Sequence, residues 1–338
     1  MRSFIHHSNT TKLIINMLTL VALIFSVGLS VSYGTTNIEF KTVWQAVFQF
    51  DPEVTSHHVI QELRLPRAVS AVFVGAFLAV SGAIMQGMTR NPLASPSIMG
   101  VTDGAAFALV LMMAFVPGVT GAGMIGSSFV GAGLAVALVF MVGSLSASGL
   151  TPVKLALAGV AIGTMLRSIS SIISLHFNLE KEMGFWLAGG LDGTSWNSVR
   201  ILVIAGGIGL LVALSISKSI TVLSLGEDIA TGLGQNNLLI KVLGIVSILI
   251  LTGAAVAVAG AVGFVGLIVP HIARFIIGTD YRWIIPTSIL FGALLLVLSD
   301  LVSRLVNAPF ETPVGAITSL IGVPFFLYLA RGSGGGKS

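Results

Sequence analysis

The sequence has no cysteine. That excludes disulfides, thiolate metal sites and iron-sulfur clusters. It is also poor in charge: Asp, Glu, Lys and Arg make up 9% of its 338 residues, where a soluble domain carries about 25% to solvate its surface. A water-soluble globular protein is thereby excluded. The net charge of +4 contains no run of five like charges, so there is no basic arm for nucleic acid. Histidines pair at 6–7 and 57–58 without any H-E-x-x-H pattern, which argues against a helix-borne metal site. The 40 glycines follow no G-X-Y period, and collagen is excluded.

What the chain has instead is apolar length. It is 55% hydrophobic, with a mean hydropathy of +1.00, and uncharged tracts follow one another from Leu13 to Leu329. Its glycines suit helices that approach closely in a bilayer, where small residues replace the missing hydrophobic drive between helices. A membrane helix needs about 20 apolar residues. Such stretches occur at 13–33, 68–88, 97–116, 123–146, 155–175, 200–217, 238–258, 283–305 and 314–330. A further crossing, Gly260 to Ile277, is broken by Gly260, Gly263, Gly266 and Pro270, and Gly260 to Pro270 is expected to be an irregular gate-region element. The expectation is an all-α polytopic membrane protein of about ten helices.

The first span follows Arg2 and Lys12, but its 21 apolar residues exceed a signal-peptide core and no A-x-A site follows, so it is kept as a helix. With both termini cytoplasmic, ten Lys and Arg fall inside and six outside: Lys41, Arg64, Arg67, Lys181, Arg200 and Arg304. That obeys the positive-inside rule. No polar linker divides the chain, so residues 1–338 read as one membrane domain, with a flexible tail at 332–338. Gly82 to Arg90 and Gly266 to Arg274 echo each other, each followed by a Gly-Ala pair, at Gly104-Ala105 and Gly292-Ala293. The echo suits two pseudo-related halves; chance matching in a Gly/Ala-rich chain is the other reading.

The inner loop 218–241 encodes its own short helix. Ser224 and Glu227 read as a capping box, Leu225, Ile229 and Leu233 form an apolar stripe, and Gly234 can end the helix with positive φ. The stripe either packs on the bundle or docks into a groove of a soluble partner. At the outer ends, Arg64-Leu65-Pro66-Arg67 and Arg304, four residues after Asp300, read as interface anchors or as functional groups. Within spans lie Asp103 and Arg167, which face a bundle interior or an aqueous cavity. Thr164, Ser168, Ser171 and Ser174 give the same helix a polar stripe that lines a route or holds helices together. Trp186 and Trp196 flank Leu187 to Ser195, which reads as a short interfacial helix.

Several of these segments together resemble the permeases of the iron-siderophore and cobalamin uptake (FecCD-type) family of ABC importers. The matching stretches include RLPR at 64–67, SGAIMQGMTRNPLASPSIMGVTDGA at 81–105, LALAGVAI at 155–162 and WLAGGLDGTSW at 186–196. LGEDIATGLG at 225–234, GAVGFVGLIVPHIAR at 260–274, GTDYRWIIP at 278–286 and the stretch from Asp300 to Phe326 continue the match in the family's order. One departure is Glu311-Thr312-Pro313, where the family often has Glu-Leu-Pro.

The resemblance implies a type II ABC importer permease of ten helices, paired with a second permease subunit, as a homo- or heterodimer, around the substrate path. It implies no cofactor and no metal on this chain, with ATP and Mg on two cytoplasmic ATPase subunits. Ser224, Leu225, Gly226, Glu227, Asp228, Ile229, Ala230, Leu233 and Gly234 are then the ATPase-coupling element. Arg64, Arg67 and Arg304 meet glutamates of an extracytoplasmic substrate-binding protein, and Thr164, Arg167, Ser168, Ser171 and Ser174 are pathway candidates. The implied cargo is a ferric siderophore, with cobalamin or haem as alternatives in the same mechanism and an ion-coupled secondary transporter as the alternative mechanism.

Overall fold

The computed structural model describes residues 8–34, 37–144 and 152–333. Its helices in chain order are α1 (Asn9–Ser32), α2 (Phe40–Phe48), α3 (Thr55–His58), α4 (Leu65–Thr89), α5 (Val101–Phe115), α6 (Gly121–Ser144), α7 (Pro152–His176) and α8 (Glu180–Ala188). They continue with α9 (Trp196–Ser215), α10 (Ser217–Leu225), α11 (Glu227–Gly232), α12 (Asn237–Ala259), α13 (Val265–Ile277), α14 (Tyr281–Leu305) and α15 (Val314–Ser333). A π-turn, Val59–Arg64, joins α3 to α4 without a break. Among the described residues, seven helical stretches are long and apolar enough to cross a membrane, and α5, α13 and α15 are shorter apolar helices. Together they give the ten expected crossings of a multi-pass membrane protein. Of the expected tail 332–338, Gly332 and Ser333 belong to α15 and 334–338 lie outside the described residues.

The hub is α4, against which α14, α12, α13 and α9 all pack. It is rich in apolar and small residues, and most of its length is buried. Its neighbours come close because glycines meet at the crossings. A Cβ at Gly75 would collide with the Gly292 carbonyl of α14, and one at Gly82 with the Gly266 carbonyl of α13. Gly82 and Gly266, the first glycines of the two echoing segments, therefore touch each other.

Helix α1 is inverted relative to a soluble helix. Leu18, Val21, Ile24 and Phe25 are exposed, while Lys12, Asn16, Thr19, Ser26 and Ser30 are buried. Lipid is as apolar as leucine, so nothing is gained by hiding the leucines, whereas interhelical hydrogen bonds hold helices together. Thr287 of α14 donates to the Asn16 Oδ1 at 2.9 Å across this contact.

Two expectations need correction. The irregular element does not run from Gly260 to Pro270: only Gly260–Phe264 is non-helical, and Pro270 sits inside α13. The short helix near the tryptophans is α8, which ends at Ala188, so Leu187 to Ser195 is mostly a turn and Trp196 opens α9. The preference of Ser195 for capping explains the latter, since Ser195 and Ser198 form the reciprocal capping box of α9.

Candidate coupling, docking and pathway sites

At the end of the bundle that carries Arg90, α10 and α11 meet at Gly226, whose φ of 136° no L side chain adopts readily. This corrects the expected capping box. Ser224 lies in the last turn of α10 and its hydroxyl donates to the Thr221 carbonyl at 2.7 Å, while α11 starts from Gly226 without a side-chain cap. The apolar stripe nevertheless stands out: Leu225, Ile229 and Leu233 are 62%, 51% and 68% exposed, and only Ala230 turns inward. Asp228 is also exposed.

This protruding unit is firmly tied down. Glu227 pairs with Lys241 of α12 at 2.8 Å. Asn237 donates to the Glu227 carbonyl at 3.0 Å and to the Thr231 hydroxyl at 2.9 Å. Gly234 has φ 79° and closes α11 as expected, with its N–H on the Thr231 carbonyl and the Gln235 N–H on the Ala230 carbonyl.

A chain of polar contacts leads inward from α10. The Thr221 hydroxyl accepts the Tyr281 N–H at 2.9 Å and lies 3.3 Å from the Asp280 carboxylate. Asp280 caps α14 by accepting the Arg282 N–H and is gripped by the Arg282 guanidinium at 2.7 Å. Partial burial acts to raise the Asp280 pKa, but the bonds and charge of Arg282, aided by Thr221, outweigh it and leave the carboxyl below its ordinary value. Tyr281 and Arg274 lie close to each other. Arg274 also donates to the buried Gln86, whose own amide donates to the Gly266 and Leu267 carbonyls at 3.2 and 3.3 Å. None of Thr221, Gln86, Arg274 and Tyr281 was among the expected site residues. A glutamine within the apolar tract of α4 was the available signal.

At the opposite end, Arg64, Arg67 and Arg304 line a cavity of about 210 Å³ together with Gly34, Asp192 and Glu311. They come together as expected, but they do not offer unoccupied guanidinium groups. Arg64, 8% exposed, donates to the Val31 and Ser32 carbonyls at 2.7 and 2.9 Å. Arg304, 4% exposed, donates to the Ser30 and Tyr33 carbonyls and the Ser30 hydroxyl and pairs with Asp300 at 3.1 Å. Both thus satisfy the C-terminal carbonyls of α1, the orphan acceptors of any helix end. Arg67 bridges Asp300 at 2.9 Å and Glu311 at 2.8 Å. Arg64 and Arg304 are thus buried and occupied by acceptors within the chain itself. Arg67 and Glu311 remain at the rim.

Asp103 and Arg167, the two ionisable groups expected within spans, find each other. Arg167 of α7 donates through Nε and Nη2 to one oxygen of Asp103, at 3.0 and 2.8 Å. Thr164, Ser168 and Ser171 share the exposed face of α7 with Arg167, and each hydroxyl donates to the carbonyl four residues earlier. Ser174 is buried instead and leaves this stripe.

The non-helical stretch Gly260–Phe264 is held by two other irregular segments. The Ala261 N–H reaches the Trp186 carbonyl, the Gly190 N–H the Ala259 carbonyl, and the Gly315 N–H the Gly189 carbonyl. Within the stretch the Ala261 N–H thus finds a protein acceptor, as a bilayer requires.

The comparisons with known proteins accord with this geometry. A sequence profile described as the FecCD transport family matches residues 21–332. The iron(3+)-hydroxamate import system permease FhuB of Bacillus subtilis (strain 168) is 57% identical over 303 residues, covering 90% of this chain and 79% of that one. The cobalamin import system permease BtuC of Halobacterium salinarum is 40% identical, covering 85% of this chain and 77% of that one. A solved metal-chelate type ABC transporter in an inward-facing conformation superposes with a TM-score of 0.82 at 30% identity, over 94% of this chain and 98% of that one. The PsaBC structure from Streptococcus pneumoniae, at 16% identity and a TM-score of 0.57 over 86% of this chain and 95% of that one, shares the fold.

Proposed function

The chain belongs to the FecCD transport family, and from that premise we propose that it is the translocation subunit of an ATP-driven importer of ferric siderophores. The observation that carries the reading is the coupling unit. Leu225, Ile229 and Leu233 form an apolar knob that is exposed and yet anchored to α12 through Glu227 and Lys241. A knob of that kind suits a cleft on a cytoplasmic ATPase subunit, where ATP and Mg are held. Lys12, Arg90, Lys218, Lys241, Arg274 and Arg282 gather toward this end of the sequence topology, which supports placing it, and both termini, in the cytoplasm.

Two copies of the chain, or one with a close relative, then enclose the path between them. The exposed polar face of α7 supports this, because hydroxyls and a guanidinium facing lipid are costly. A substrate-binding protein docks at the opposite end, around the rim formed by Arg67 and Glu311. The hydroxamate permease similarity supports a ferric hydroxamate cargo. The test is uptake into proteoliposomes holding this chain with its ATPase and binding-protein partners. Labelled ferric trihydroxamate should enter in an ATP-dependent manner, and cobalamin and haem should not. Uptake by the isolated chain driven by a proton or sodium gradient would overturn the reading.

A further inference from the structure

Arg167 sits well inside a membrane-spanning helix, yet its side chain is 67% exposed. Its partner Asp103 is 13% exposed and lies in the first turn of α5, where the helix N-terminus favours a carboxylate. Gly163 makes room for that carboxylate, since a Cβ there would strike Asp103 Oδ2. Two of the five guanidinium N–H groups bond to Asp103; among the described residues no acceptor takes the others. Beside them, the Thr164, Ser168 and Ser171 hydroxyls direct their protons to their own helix. The face therefore offers fixed N–H donors aimed at an open side.

We propose that Arg167, tethered by Asp103, is a transit subsite for a carboxylate on the surface of the chelate. The inference rests on the reading of this face as the pathway. Guanidinium forks match carboxylate oxygens bidentately. The tether brings the local charge to zero, and conduction needs a hold that is weak enough to release. Asp103 thus serves as a positioning residue that also keeps the arginine from trapping its cargo.

The test uses the assembled transporter and two ferric probes of nearly equal size: a linear trihydroxamate chelate with a terminal amine, and the same chelate succinylated at that amine, which reverses its net charge. Arg167→Met should lower the ratio of negative to positive chelate uptake about tenfold, the loss of roughly one charge-assisted contact. Arg167→Lys keeps the charge and should retain the ratio. Asp103→Asn should slow uptake of the negative chelate while more of it stays on the purified transporter after washing. Equal effects on both probes in all three variants would overturn the subsite. The pathway reading is tested separately, because the chain has no cysteine: Ser171→Cys should react with a membrane-impermeant thiol reagent. An unreactive cysteine in the resting and ATP-bound states would overturn the pathway and the subsite together.

Discussion

Gln86 supplies to the Gly266 carbonyl the hydrogen bond that Pro270 cannot. A helix carbonyl bonds to the N–H four residues on, and for Gly266 that residue is a proline without one. The Gln86 amide, reaching across from α4 at 3.2 Å, fills the gap and anchors α13 to the hub. The same side chain accepts from Arg274, so one buried glutamine joins the start of α13 to its last turn.

Gln86→Leu should therefore destabilise the protein by about 1–3 kcal/mol, since a buried carbonyl and the Arg274 guanidinium lose a partner. Thermal unfolding in detergent measures the loss, and hydrogen exchange should locate it in residues 265–274. A variant as stable as wild type, with unchanged exchange there, would show that another group already serves the Gly266 carbonyl.

The crossing beneath Gln86 should tolerate no side chain at all. A methyl group at Gly82 would overlap the Gly266 backbone, and backbone cannot rotate aside, so Gly82→Ala should cost about 1–3 kcal/mol through overpacking. Gly184→Ala is the control: nothing lies near its Cβ position in α8, and alanine there should be neutral or slightly stabilising. Equal melting temperatures for the two variants would contradict the close crossing.

Asp280 provides a pH signature. Its pKa in the folded protein is lowered, so its contribution is fully present above the unfolded value of about 3.9 and disappears as pH falls through the lower folded value. Asp280→Asn keeps a side-chain cap for α14 but removes the ion pair with Arg282. The wild type should melt slightly above the variant at neutral pH, within the ~1 kcal/mol of a partly exposed pair, and the gap should close below about pH 4. A gap that widened on acidification would mean that the carboxyl is destabilising.

Ile229→Asp should leave the chain folded, because Ile229 is 51% exposed, yet the ATPase subunits should be lost on purification or hydrolyse ATP without uptake. A buried, unpaired carboxylate at the contact is the cause. Normal uptake with normal ATPase retention would remove α11 from the interface.

The positions of the crossings were legible because each is a run of apolar residues, and the exposed stripe of Leu225, Ile229 and Leu233 was legible from its spacing of four. The break at Gly226 was not. Ser224 and Glu227 satisfy the capping pattern, but a glycine able to take φ 136° lets the chain turn between them, so the serine ends one helix instead of starting the next. The Asp103–Arg167 pair was half legible: each residue was conspicuous in its span, but which charge would meet which depends on how α5 and α7 pack. Gln86 was overlooked because its role follows from Pro270, 184 positions away in the chain.

The arginines at the Arg64 end show the limit most plainly, and they carry the last prediction. Charge counting places them among the six cations of the expected outer side, but that rule has no knowledge of helix ends. Among the described residues the Ser30, Val31 and Tyr33 carbonyls have no backbone N–H to meet them, while the Ser32 carbonyl takes that of Ile38, and Arg64 and Arg304 are positioned to donate to these acceptors. Arg304→Glu would aim a carboxylate at those carbonyls and at Asp300, so it should destabilise the chain by several kcal/mol, in the range of about 3–5 for breaking a buried pair. Melting in detergent should fall steeply, and Arg304→Lys should recover only part, since one ammonium cannot reproduce the fork. A Glu-to-Arg change on the binding protein should give no rescue at Arg304. At Arg67, on the rim, the same exchange should restore part of any lost association. Were Arg304→Glu instead to melt like wild type and be rescued by its partner's reversal, Arg304 would be a docking group after all, and its bonds to α1 would have to be ones that docking displaces.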